Sequence, residues 1–512
     1  MLRTVPELWL MPEPGAPVER AVGEHRERAL FTDQMADKLP AGVDLTTDQA
    51  VHADFRFIDG RRGGHVSISG ISGVATKTSY ALFLLYMPFE TQAGRRLLEG
   101  PADLHNTKAL IFNTKGEDLL HIDRPNVTFP QQPKDLQWWA ALGVTDLRPF
   151  SSVRLYAPRA DTGSSQTVPD VRTRPLGEVA AYGWTPEQFI RQQLLQFCFT
   201  AEDERTTQVT FVEQQVRIQL LRHMHRLQGD DSGAVVIAGS VSPSVTFNAD
   251  RLADREPLSL PAGAGHVVRD FGELLDFIER KVHEEDQGWL GNTQPGTQQA
   301  FLRRLVKLRR RIGRLISVGV QPVELSDRRV HVVDISRLHD DAQRFVVAAL
   351  LDRIWNDKQG TGREPLRFIV LDELNKYAPA VGHSPLKELL VDIAERGRSL
   401  GVLLVGAQQA VSAVAPALPR NASLKVAGRL DAGESDSYRF LSPLLRERAT
   451  RFLPGTMVVS QPLVPEPIPI RFPFPPYATN DEEGRGDAEV AAATADRVAK
   501  SMAVAAGPRV EL

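Results

Sequence analysis

From residue 330 onward the apolar positions come in two alternating rhythms. VHVVDIS, LRFIVLDE and LGVLLVGAQQ are short and almost wholly apolar, whereas DAQRFVVAALLDRIW and SPLKELLVDIAERGR carry apolar residues at helical spacing. Wholly apolar strands separated by amphipathic helices predict a mostly parallel sheet covered on both faces, an α/β fold. The same rhythm starts earlier. HVSIS at 65–69 alternates and turns at Gly70, TSYALFLLYM after Lys77 reads as a buried helix, and KALIFN at 108–113 as a second strand. Residues 130–330 interrupt it with a proline-rich front (FPQQPKDLQWWAALG), helical stretches near 185–228 and 268–315, and a β-like run at 233–247 (GAVVIAGSVSPSVTF). The predicted organisation is a short β-rich region at 1–60, a core in two parts at 61–130 and 330–478, a largely helical insertion at 131–329, and a flexible tail at 479–512.

Two stretches carry chemistry. GISGVATKTSYALFLL at 70–85 resembles a phosphate-binding loop running into a helix, in which glycines admit the phosphates and a lysine reaches the β/γ oxygens. Its spelling is unusual: Gly70 lies seven residues before Lys77, and Thr76 stands where a glycine is usual. A β-branched residue disfavours positive φ, so the loop must be wound differently there. The candidate nucleotide-binding residues are Gly70, Ile71, Ser72, Gly73, Val74, Ala75, Thr76, Lys77, Thr78 and Ser79. In LRFIVLDE, Asp372 and Glu373 follow a buried strand, at the end where open α/β sheets bind ligands. There the first carboxylate suits a magnesium shell, with Thr78 as the partner hydroxyl, and the second suits activation of an attacking water. The competing reading of the pair is an acidic helix start.

Taken together, HVSISGISGVATKTS, IFNTKGED, VHVVDIS, FIVLDELNKYAP, AERGRSLGVLLVGAQQ and VAGRLD resemble, in order and spacing, the HerA branch of the HerA–FtsK family of P-loop ATPases. The resemblance covers about residues 60–475. It implies a RecA-like, mostly parallel sheet with a helical insertion between the Walker motifs. It also implies a ring, typically a homo-hexamer, that uses ATP and Mg²⁺ to move on double-stranded DNA with a nuclease or other effector protein as partner. Carried over, Glu373 is the catalytic carboxylate, Gln408 (or its neighbour Gln409) the polar sensor, and Arg398 the arginine offered to a neighbouring subunit's nucleotide, with Arg429 in VAGRLD as its rival. The family commonly has an aspartate where Asn113 stands, so any metal or pore role of that carboxylate is either lost or passed to Glu117, and its N-terminal β-barrel would have to be cut down to fit residues 1–60. A second reading stays open: a nucleotide-gated ring scaffold that licenses a partner without processive movement.

Composition trims these expectations. Lys+Arg 61 against Asp+Glu 64 gives a net charge of −3, so a DNA partner must meet a local patch. LRRLVKLRRRIGR at 302–314 supplies one, with seven basic residues and no acid, and Arg309, Arg310 and Arg311 are candidate DNA contacts together with Lys115 in the TKGED turn. The alternative is a solvated face paired with acids elsewhere. One cysteine, Cys198, excludes an intrachain disulfide and fits a reducing cytoplasm. No segment reads as a membrane span or signal peptide. His223 and His225 in LRHMHR, taken as helical, point to nearly opposite faces and do not converge on a metal.

Overall fold

A computed structural model describes residues 15, 17, 20–71, 77–98, 106–161, 167–199, 207–239, 252–325 and 327–485. Among them, twelve strands form one sheet. Its parallel part comprises β3 (Val66–Ser69), β4 (Lys108–Asn113), β5 (Val153–Pro158), β6 (Val179–Tyr182), β11 (Val330–Asp334), β12 (Arg367–Leu371), β13 (Val402–Gln408) and β14 (Leu424–Ala427). The antiparallel remainder is β1 (Lys38–Asp44), β2 (Ala50–Asp54), β15 (Thr456–Ser460) and β16 (Ile468–Arg471). Across the sheet the order is β2-β1-β16-β15-β14-β3-β13-β12-β4-β11-β5-β6.

The apolar runs make this sheet because both faces are covered. On β4, Ala109 and Ile111 face one core and Leu110 and Phe112 the other; Phe368 and Val370 divide from Ile369 and Leu371 in the same way on β12. Helix α1 (Lys77–Glu90), with Tyr80, Phe83 and Tyr86 buried, fills the first face. Helices α5 (Asp340–Thr361) and α6 (Pro385–Leu400) fill the second. Helix α6 starts on Ser384, whose hydroxyl accepts from Lys387 N–H, and stops at Gly401 in the left-handed region.

Between β4 and β11 the chain makes an excursion. Its front contributes β5 and β6 to the main sheet, so this stretch is less wholly helical than the composition suggests. The remainder builds a second, four-stranded sheet from β7 (Met224–Leu227), β8 (Val235–Ala238), β9 (Ser259–Leu260) and β10 (Gly265–Val268). Around it lie α2 (Thr207–His223), α3 (Phe271–His283) and α4 (Pro295–Ile312), whose buried Phe271, Phe301 and Leu305 join the core under α5. The helical reading of LRHMHR needs correction. Helix α2 ends at His223, and His225 lies in β7, paired with Val236 and buried. Residues 240–251, part of the β-like run at 233–247, and residues 486–512 of the tail lie outside the described residues. The described part of residues 1–60 holds a short helix at Gly23–Ala29 and a β1–β2 pair on the sheet edge beside β16, and 1–14, 16, 18 and 19 are not described. Among the described residues no helix is long and apolar enough to cross a membrane.

Candidate nucleotide site

Five neighbouring parallel strands, β3, β13, β12, β4 and β11, end along one edge of the sheet at Ser69, Gln408, Leu371, Asn113 and Asp334. The described residues of the two motifs converge there. Gly70 leaves β3 with φ +156°, and a Cβ at this position would stand 3.1 Å from the Arg429 carbonyl oxygen. Ser72, Gly73, Val74, Ala75 and Thr76 lie outside the described residues, while Gly70, Ile71, Lys77, Thr78 and Ser79 frame the segment. Lys77 is the first residue of α1, whose N-terminal N–H groups favour an anion. Its ammonium is buried and donates to the Gly70 carbonyl at 2.8 Å. Burial lowers the Lys77 pKa, against the opposing pull of Asp372.

The two motifs meet through one oxygen. Thr78 Oγ1 donates to Asp372 Oδ2 at 2.8 Å, although 294 positions separate the residues. Asp372 is 4% exposed, and its other oxygen accepts from the Glu373 N–H at 2.8 Å. A hydroxyl and a carboxylate held together at a half-buried point are hard-oxygen donors that fit Mg²⁺, which takes few protein ligands and completes its shell with phosphate and water. Glu373 sits in the left-handed region, φ 55° and ψ 46°, which a non-glycine residue adopts at a cost typical of functional positions. Lys115, expected at a DNA backbone, lies on these carboxylates: its Nζ is 3.2 Å from Asp372 Oδ2 and 3.5 Å from Glu373 Oε1. Burial alone would lower its pKa, but Asp372 and Glu373 together raise it.

Gln408 is fully buried at the end of β13, and its Nε2 donates to the hydroxyls of Ser67 and Ser69 at 2.8 Å each. Its Oε1 is buried without a hydrogen-bond partner among the described residues, and Gln409 beside it is exposed. No motif in the sequence marks the two serines, although the alternation of HVSIS places both on one face of the strand. Asn113 donates to Asp334 Oδ1 at 2.8 Å, so a carboxylate does stand beside this position, contributed by the next strand. Burial raises the Asp334 pKa to about 6. Glu117 is occupied elsewhere, accepting the backbone N–H groups of Arg172 and Thr173 at 2.8 Å.

Arg398 and Arg429 lie apart. Arg429 follows β14 at the site edge, where its carbonyl accepts from Ile71 N–H at 2.8 Å and its exposed Nε donates to the Thr450 carbonyl at 3.2 Å. Arg398 precedes β13 at the opposite edge, its guanidinium 3.4 Å from the Arg62 carbonyl. At ~3.3 Å per residue β13 separates the two edges by on the order of 20 Å. In α4, Arg309 pairs with Asp276 at 3.1 Å and Arg311 with Asp341, while Arg310 is exposed and makes no ion pair among the described residues.

No family model matches the chain, and no curated protein matches it in sequence. Solved structures match it in fold. The plasmid coupling protein TrwB in complex with ADP and Mg²⁺ superposes with a TM-score of 0.52 at 12% identity, over 91% of this chain and 97% of its own. TrwB bound to the non-hydrolysable ATP analogue ADPNP gives 0.50 at 13% identity over 91% and 97%. VirB4 of Thermoanaerobacter pseudethanolicus gives 0.49 at 16% identity over 86% and 96%. The chain thus shares the mostly parallel α/β fold of the coupling protein TrwB, an α/β fold of the kind its apolar rhythm leads one to expect.

Proposed function

We propose that the chain is a Mg²⁺-dependent ATP hydrolase, assembled as a homo-oligomeric ring, hexameric by the HerA resemblance, that moves double-stranded DNA together with a nuclease or other effector. The observation that carries the nucleotide reading is the 2.8 Å bond from Thr78 Oγ1 to Asp372 Oδ2, which joins the loop's end and the acidic strand end at one half-buried point. The likeness of fold to a coupling protein complexed with ADP and Mg²⁺ supports it.

Each residue then has a task. Lys77 and the N–H groups opening α1 hold the phosphate oxygens. Thr78 and Asp372 hold Mg²⁺, which when bound supplies charge neutralisation at those oxygens. Glu373 orients a water and accepts its proton, and Gln408 senses the terminal phosphate through the Ser67–Ser69 pair. Arg398, or Arg429, adds a positive charge where negative charge develops; an arginine supplied in trans contributes about 10³–10⁵ in rate. Arg309, Arg310, Arg311 and neighbouring cations on α4 meet the DNA backbone, which makes the interaction salt-dependent and indifferent to sequence.

The test is ATP hydrolysis with and without linear double-stranded DNA, with Glu373→Gln as control. Stimulation by DNA that disappears in the variant supports the motor. Nucleotide binding without turnover in either condition overturns it in favour of the scaffold reading, which the Lys115 ion pairs and the Thr76 spelling favour.

A further inference from the structure

The turn after β4 places a further cation among the groups assigned to the nucleotide. Lys77, the metal and the arginine are the positive charges assigned to this site, and Lys115 is an extra one. Its Nζ shares Asp372 Oδ2 with the Thr78 hydroxyl, at 3.2 Å and 2.8 Å respectively, and also lies 3.5 Å from Glu373 Oε1. A divalent ion drawn to that oxygen would meet an ammonium already there, and like charges a few ångströms apart repel by several kcal/mol at intermediate dielectric.

The turn is fastened on both sides. Asn113 Nδ2 donates to the Gly116 carbonyl at 2.7 Å and to Asp334 Oδ1 at 2.8 Å. Gly116 takes φ +53° to make the reversal. Glu117 grips the backbone of residues 172–173, and the preceding Asp170 pairs with Arg314, just past α4, and with Arg337, at 2.7 Å each. The lysine head is therefore carried on a braced turn, with its side chain half exposed and free to leave while the backbone stays.

Resting on the nucleotide reading above, we infer that Lys115 is a cationic plug of the metal site. It neutralises Asp372 and Glu373 while no divalent ion is present, and Mg²⁺ must displace it before Asp372 can serve the metal. The plug sets the Mg²⁺ concentration at which the site loads. Its turn is linked through Asp170 to the C-terminal end of the basic helix, so whatever engages α4 is in a position to shift that threshold.

The test is Mg²⁺ titration of the binding of a fluorescent ATP analogue, at constant ionic strength, for the wild type, Lys115→Gln and Lys115→Arg. The half-saturating Mg²⁺ is expected to fall about three- to tenfold in Lys115→Gln, tenfold being about 1.4 kcal/mol, and to stay near wild type in Lys115→Arg. The melting temperature without nucleotide should also rise more on adding Mg²⁺ in Lys115→Gln than in the wild type. An unchanged or higher Mg²⁺ requirement overturns the plug. Loss of analogue binding at saturating Mg²⁺ overturns it too, and assigns Lys115 to the phosphates. If the wild type itself binds no analogue with Mg²⁺, the nucleotide reading beneath falls instead.

Discussion

Replacing Glu373 with glutamine removes one negative charge and keeps the shape. The backbone at this position is left-handed for either residue, so the strain stored there is unchanged. The carboxylate's direct partner is Lys115 at 3.5 Å, with side chains 31% and 49% exposed, and ion pairs so open to solvent contribute about 0.2–1 kcal/mol. Stability should therefore move by less than about 1 kcal/mol. Turnover should not be spared, because a positioned general base contributes about 10²–10⁴ in rate, or about 3–5 kcal/mol of barrier. The assay is single-turnover phosphate release beside analogue binding and thermal melting. The expected pattern is lost release with intact binding and melting. More than about a tenth of wild-type release would remove Glu373 from the base role, since even the weak end of the range is about a hundredfold. Lost binding or a collapsed melting temperature would instead make the carboxylate a structural group. Glu373→Gly separates the two effects: it relieves the left-handed strain and so should melt at least as high while remaining inactive.

Three further changes probe the surroundings. Gln408→Leu removes two buried hydrogen bonds and should destabilise by about 1–3 kcal/mol, read from the denaturant midpoint; a double-mutant cycle with Ser69→Ala that shows no coupling would refute the arrangement. Asp334→Asn tests the buried acid. Its folded pKa, about 6, is raised, so its contribution is most favourable below the ordinary carboxylate range and is lost as pH rises through about 6. The asparagine variant should therefore melt higher than wild type at pH 8, by up to about 3 kcal/mol, and show no gain near pH 4; an equal gain at both would sink the assignment. Gly401→Ala puts a Cβ 1.8 Å from the Arg363 carbonyl at a φ of +71°, and should cost about 2–4 kcal/mol in melting experiments, with neutrality refuting the helix cap.

How much of this was legible depends on range. The parallel strands could be read because each buries alternate residues on two cores, as Leu110 and Ile111 do, and so is apolar throughout. Strands β5 and β6 could not. VRLYAP carries an arginine and VAAY is only four residues long, and only pairing, β5 with β11 and β6 with β5, makes them strands. Strand β7 reads as helix in the sequence because MHRL carries no strand signal of its own, and β8 imposes one by pairing with it. The site shows the same limit. The residue types at each strand end were visible, but which strand lies next to which was not. Lys115 reaches Asp372 because β4 borders β12, and Gln408 reaches Ser69 because β13 borders β3. A lysine in a polar turn gives no hint of the carboxylate it will face.

The two candidate arginines make opposite demands on any ring. Arg429 is bound by its own backbone to Ile71, so a charge supplied from there serves the nucleotide of its own chain. Arg398 lies at the far edge of the sheet, on the order of 20 Å away along β13. It reaches a nucleotide only if the far edge of one subunit faces the site edge of the next. That is a heterologous contact, the head-to-tail kind that closes into rings. Mixing variants distinguishes the two. Arg398→Ala subunits have intact sites but offer no arginine, and Glu373→Gln subunits offer the arginine but have dead sites. If Arg398 acts in trans, each alone is inactive and the mixture recovers turnover, because Arg398→Ala sites now border Glu373→Gln neighbours. If Arg429 acts in cis, Arg398→Ala keeps its activity, and an Arg429→Ala and Glu373→Gln mixture recovers nothing. Recovery by the Arg429 mixture and none by the Arg398 mixture would refute the head-to-tail arrangement inferred from the edge on which Arg398 sits.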